Sequence, residues 1–172
     1  ANTDYFRDLA GIGALSSNAF HTDAQAGGDI PLRLTRPSDL DPNEFAFWGN
    51  DDETQTADFR SDLPTGIDNR LPWVWRFDET GDLGTVDVSF DLSGLNNPIN
   101  GSDLVLLVDG TDATFASGAT QITAGRSLSN DIVTFSGVDL SGGDHFTLGS
   151  TSASSQLPVE LVAFEVRKQG PD

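Results

Sequence analysis

Along much of the second half of the chain, apolar residues return at every second position, and no long stretch keeps the 3.6-residue period of a helix. In the run from Thr85 to Leu92, Val86, Val88, Phe90 and Leu92 fall on one face of an extended segment and Asp87, Ser89 and Asp91 on the other, which predicts a strand with one wet side. Residues 104–108 are apolar on both faces, as a central strand in a two-layer stack must be, and Asp109-Gly110 supplies the turn chemistry that ends it. Further strands are predicted at 121–124, 131–136, 145–149 and 157–166, and in the less regular first half at 12–15, 19–23, 30–34, 45–48 and 73–77. Gly, Asn and Asp separate these segments at the spacing of a sandwich, so the pattern predicts an all-β chain: a two-layer β-sandwich, jelly-roll-like. Between two of the strands runs a long polar connection, 49–71, of the kind that is either functional or ordered by something it binds.

The 172 residues suit one domain, divided here into an extension (1–10) that is a candidate intersubunit strand, a sandwich (11–150), and a last strand with its tail (151–172). No apolar run approaches the roughly 20 residues that span a bilayer, so a soluble, mature chain without membrane insertion is expected. A net charge of −18 repels phosphate backbones and anionic surfaces, which argues against a nucleic-acid partner. Asp supplies 22 of the 27 acids, and Asp favours turns where Glu favours helix interiors, in keeping with a strand-rich, loop-rich chain. With no Cys, disulfides, thiolate nucleophiles and cysteine zinc sites are excluded.

Several ordered blocks resemble a family. Asn69-Arg70-Leu71, Val74-Trp75-Arg76 and the run from Glu79 to Val86 are similar to the NR..WR..ETG..GTV signature of an uncharacterised β-sandwich domain of large secreted bacterial surface proteins. Gly11-Ile12-Gly13, the segment 45–49, the segment 104–109 and the blocks 133–140 and 146–148 fit the same pattern, so the resemblance covers roughly residues 11–150. Leu157-Pro158-Val159-Glu160-Leu161 resembles the start of the sorting region of proteins exported by type nine secretion. The resemblance implies a secreted, extracellular or cell-surface location and lends no catalytic residues.

The inventory of reactive side chains points away from an enzyme. His21 and His145 are the two histidines, and neither sits in a recognisable nucleophile or metalloprotease motif. Asp144 precedes His145, but neighbours on a strand face opposite ways, and His21 with Asp23 offers two metal ligands without a third. Hard-cation chemistry is the more physical candidate, with calcium the expected ion at Asp109 and Asp112 or at Asp51 and Asp52. Trp73, Trp75 and Phe77 alternate on one strand face; Trp75 and Phe77 read as core, while Trp73 beside Pro72 is the candidate glycan platform. Asn100-Gly101-Ser102 matches a glycosylation sequon. Both faces of 157–166 want burial, Val162, Phe164 and Val166 on one of them, and Tyr5, Phe6 and Leu9 stand in the extension. These six residues are the expected intersubunit contacts of a non-catalytic structural protein that polymerises with itself into a fibre or sheath. The alternative is a glycan- or calcium-binding module of a surface adhesin.

Overall fold

The computed structural model describes residues 4–51, 61–95 and 98–157. Within them the chain forms thirteen strands: β1 (Arg7–Ser16), β2 (Ala19–His21), β3 (Asp23–Ala26), β4 (Leu32–Thr35), β5 (Phe45–Asn50), β6 (Asn69–Arg70), β7 (Trp75–Thr80), β8 (Thr85–Asp91), β9 (Leu104–Asp109), β10 (Thr120–Ile122), β11 (Arg126–Ser129), β12 (Ile132–Asp139) and β13 (His145–Ser150). One turn of 3₁₀-helix, Gly101–Asp103, precedes β9; among the described residues no helix is long and apolar enough to cross a membrane.

The strands make two antiparallel sheets. The larger runs β10-β9-β13-β7-β5-β1-β2 with β6 paired to β13, and the smaller runs β11-β12-β8-β4-β3. The chain passes from one sheet to the other after β2, β4, β7, β8, β10 and β12, the alternation that gives a two-layer sandwich its jelly-roll character. The inward sides of both sheets meet in one core, in which Trp75 of the larger sheet sets its ring edge-on to Phe90 of the smaller at 5.5 Å. The expected alternation in β8 is present, with Val86, Val88 and Phe90 buried inward. Its outward Asp87 is nearly buried too, because its carboxylate accepts the Gly137 amide at 3.1 Å inside a bulge of β12 and pairs with Arg36 at 3.2 Å.

A second, smaller core lies on the other face of the larger sheet. Val74, Val105 and Leu107 point outward there and are covered by Tyr5, Ile67 and Phe115. Burial on both faces is what the unbroken apolar run of β9 called for, and the cover comes from loops rather than a third sheet. Those loops are fastened by Arg70, which is 1% exposed and donates to Asp62 Oδ2 at 3.0 Å, to the Asp62 carbonyl at 3.2 Å and to the Leu71 carbonyl at 2.8 Å. The other carboxylate oxygen of Asp62 accepts the Ala116 amide at 2.7 Å, and the guanidinium lies 5.1 Å from the centre of the Phe115 ring. The 61–68 part of the long polar connection is therefore ordered by the chain itself, while 52–60 lies outside the described residues.

Two boundaries bear on the candidate residues, and one expected strand lies almost wholly outside the described chain. The extension does not stand apart, since Arg7 already belongs to β1 and pairs with Asn50 of the same chain across a bulge at Asp8. The strand expected at 19–23 breaks at Thr22, where the chain leaves the larger sheet for the smaller, so His21 and Asp23 belong to different sheets and Asp23 binds Arg33 instead. Of the strand expected at 157–166, Leu157 alone is described; it is buried in the inter-sheet core.

Candidate functional site

The outward face of the larger sheet is roofed at one end and open at the other. At the roofed end, register places Asp109 of β9 opposite His145 of β13, and His145 opposite Arg76 of β7, so three ionisable side chains form one row on one face. Tyr5 closes over the row with its ring 5.1 Å from that of His145. Burial, reinforced by Asp51, pushes the Tyr5 phenol up to about 12. Burial also pushes the His145 imidazole down, with Arg76 acting the same way against the opposing pull of Asp109, Asp112 and Asp144. Nδ1 of His145 is buried without a hydrogen-bond partner, and so is Nε of Arg76, whose terminal nitrogen pairs with Asp78 at 3.0 Å. The His145 ring, packed against the Tyr5 phenol, ties the residues just before β1 to the sheet. Its Nδ1, the nitrogen that an aspartate orients in a catalytic triad, makes no hydrogen bond among the described residues.

The acidic candidates are committed to their own backbones. Burial works against the charged form of Asp109, but the Thr111 hydroxyl at 2.6 Å and the amides of Thr111 at 2.8 Å and Asp112 at 3.1 Å donate to its Oδ1, and these bonds hold its carboxyl below the usual range. Asp112 accepts the Thr114 amide at 2.8 Å, and Asp51, fully buried, accepts the Val74 amide at 3.0 Å. Asp52 lies outside the described residues. Among the described residues no three His, Asp or Glu side chains are grouped so as to hold a metal ion. The turn bonds of Asp109 and Asp112 fall on Oδ1 of each carboxylate.

The open end is apolar. Gly11 and Gly13 in β1 leave hollows over which the rings of Phe47 and Phe45 in β5 lie; a Cβ on either glycine would come within 2.5 Å of a ring carbon. One hollow of about 440 Å³ is lined by Gly11, Gly13, Leu15, Phe20, Phe45 and Phe47, with His21 at its rim. A second of about 120 Å³, lined by Phe6, Leu9, Gly49 and Arg76 among others, adjoins it through Phe47. Phe6, Leu9, Leu15 and Phe47 are between 53% and 72% exposed, an apolar group on a strongly acidic protein; Phe20, 48% exposed on edge strand β2, pairs with inward-facing Ala14.

Each expected contact residue has a place, apart from those beyond the described chain. Tyr5 is buried within its own chain, packed on His145, where the residues just before β1 fold over the roofed row. Phe6 and Leu9 are exposed on the open face, and Val162, Phe164 and Val166 lie outside the described residues. Trp73 stands just before β7, half-buried against the inter-sheet core, while Trp75 and Phe77 are core residues as the alternation predicts. Asn100 is exposed, and its side chain accepts the Ser102 amide at 3.2 Å, capping the 3₁₀ turn. Sequence reasoning passed over Leu15, Phe20, Phe45 and Phe47; the signal available was two glycines spaced two apart, Gly13 in a predicted strand and Gly11 just before it, and two phenylalanines spaced two apart in another.

Residues 28–144 match a family described as a domain of unknown function (DUF8202). The chain belongs to that family. In this DUF8202 domain the matched stretch takes in β4 to β12, together with the Asp62–Arg70 clamp and the aromatic core of β7 and β8; β1, β2, β3 and β13 lie outside it. The open apolar face thus combines one strand from inside the DUF8202 match, β5, with two from outside it. No curated protein and no solved structure matches the chain.

Proposed function

We propose that this chain is an extracellular, non-catalytic structural domain that associates with copies of itself through the open face of β5, β1 and β2. The observation that carries the reading is the apolar surface centred on Phe47, which is 57% exposed. The outward positions of β5 and β1 are glycine, leucine and phenylalanine, while Asp78 and Arg76 of β7, paired with each other at 3.0 Å, border them on one side. Its lining of glycine, leucine and phenylalanine offers area to a protein partner and few hydrogen bonds to a sugar. The alternative of a glycan platform at Trp73 has less in its favour, because that ring is half-buried against the core. The non-catalytic part of the reading is supported by the roofed row, where His145 is occupied with packing.

Sedimentation of the purified chain over a range of concentrations tests the reading. The expected result is a mass that rises with concentration, and Phe47→Asp holding the protein at one chain with an unchanged melting temperature. A single chain at every concentration overturns it.

A further inference from the structure

A polar groove lies on the opposite side of the sandwich from β2 and β3, where the 3₁₀ turn Gly101–Asp103 meets the edge strand β11. Two hollows, of about 530 and 450 Å³, flank Ile99 and Asn100, and each has the volume of a small-molecule site. The first is lined by Asn100, Ser102, Arg126 and Ser127, with Ile99 and Leu128 as its apolar part. The second takes in Asp103, Ser152, Ser154 and Ser155. Hydrogen bonds within the chain fix these walls. The Asn100 amide donates to the Ser155 hydroxyl at 3.1 Å, that hydroxyl donates to Asp103 Oδ2 at 2.6 Å, and the Thr151 amide donates to the Asp103 carbonyl at 2.9 Å.

Arg126 gives the groove its character. Between Phe77 and Leu148 the sequence holds 11 acids and one base, Arg126. Its Nη1 donates to the Leu104 carbonyl, and among the described residues no carboxylate pairs with it. The guanidinium therefore has N–H groups to spare. Beside it stand serine hydroxyls, which donate and accept, and the Asn100 side-chain nitrogen, whose partner oxygen already caps the turn. In a protein of net charge −18, a basic ligand drawn by the whole molecule meets a cation here, and an acidic ligand drawn by Arg126 is repelled by the whole. A neutral ligand meets neither opposition. Strand addition by a peptide is obstructed as well, because the turn presses on β11: a Cβ on Gly101 would lie 2.8 Å from Leu128 Cβ.

We propose that this groove binds a neutral oligosaccharide, one ring resting its C–H face on Leu128 and Ile99 and bonding its hydroxyls to Arg126, Asn100, Ser102 and Ser127. A sugar hydroxyl is donor and acceptor at once, which suits a lining where guanidinium and amide donate and serines do both. The next ring, across Asn100, meets the hydroxyls of Ser152 and Ser154 in the second hollow. The site is separate from self-association, since none of its residues lies on the face of β5, β1 and β2.

NMR titration of the full chain tests this, with maltotriose, cellotriose and mannotriose as neutral probes and trigalacturonate and trilysine as charged ones. The expected result is that a neutral trisaccharide shifts amides within 99–102, 126–128 and 152–155 with millimolar affinity. Arg126→Gln is expected to weaken that binding about tenfold, through loss of a hydrogen bond from a charged donor. Ser127→Tyr, at an exposed position that leaves the Leu104 bond in place, is expected to abolish it by filling the hollow. The dispersion of each variant's spectrum establishes that it is folded. If no neutral probe shifts these amides, the proposal falls. If both variants bind like the wild type, binding there is adventitious and the proposal falls as well. Tighter binding of trigalacturonate or trilysine than of every neutral sugar rejects the neutral class. None of these outcomes bears on self-association, which sedimentation reads separately.

Discussion

Arg70 and Asp62 form the most consequential pair among the described side chains, with side-chain exposures of 0% and 5%. Removing one member of such a pair leaves a buried charge without its counterion. Asp62→Ala is expected to cost about 3–5 kcal/mol in denaturant unfolding, through loss of the Arg70 bond and of the anchor for the Ala116 amide. Nothing in the sequence marks this pair: an Asp in a polar loop and an Arg eight positions later read as surface, and only the closure of two loops over the larger sheet buries them. His145 makes a second residue-scale prediction. The unfolded chain takes up its imidazole proton near the ordinary value of 6.5, while burial beside Arg76 makes the folded protein bind it at lower pH. Its stabilising contribution is thus complete above pH 6.5 and is lost as pH falls through the folded value. His145→Phe is expected to flatten the decline in melting temperature between neutrality and about pH 5, a window set by the ordinary histidine range. An unaltered decline would show that other groups govern it.

At the scale of elements, the strands that were legible are those with at least one continuous apolar face. β8, β9, β12 and β13 fall where the alternation puts them, because each has at least one face in a core. β6 and β11 were missed, the one being two residues long and the other exposed at alternate positions on a sheet edge, so neither carries a continuous apolar signal. The strand expected at 19–23 ran β2 into the first residue of β3 and missed the rest of β3, because alternation does not register a change of sheet. The open face was illegible for a related reason: a glycine in a strand reads as weakness until the partner strand shows a ring lying over it. Gly13→Val tests that reading, since the new Cβ would meet the Glu44 carbonyl at 2.8 Å as well as the Phe45 ring. The backbone oxygen cannot swing aside, so a loss of about 1–3 kcal/mol is expected in chemical denaturation. A neutral result would mean that β1 and β5 can part without penalty.

For the whole molecule, charge and apolar surface oppose each other. Copies carrying −18 repel at long range, while the face around Phe47 attracts on contact. Raising salt from about 0.1 M to about 1 M shortens the screening length from about 10 Å to about 3 Å, so self-association is expected to strengthen across that range. Association driven by ion pairs would weaken instead. The central claim is that the face of β5, β1 and β2 is what assembly covers, and amide hydrogen exchange at low and high protein concentration addresses it most directly. The account predicts that concentration slows exchange in 7–21 and 45–50 while leaving β9 and β13 unchanged. Protection that is independent of concentration, or that rises only elsewhere, would contradict it.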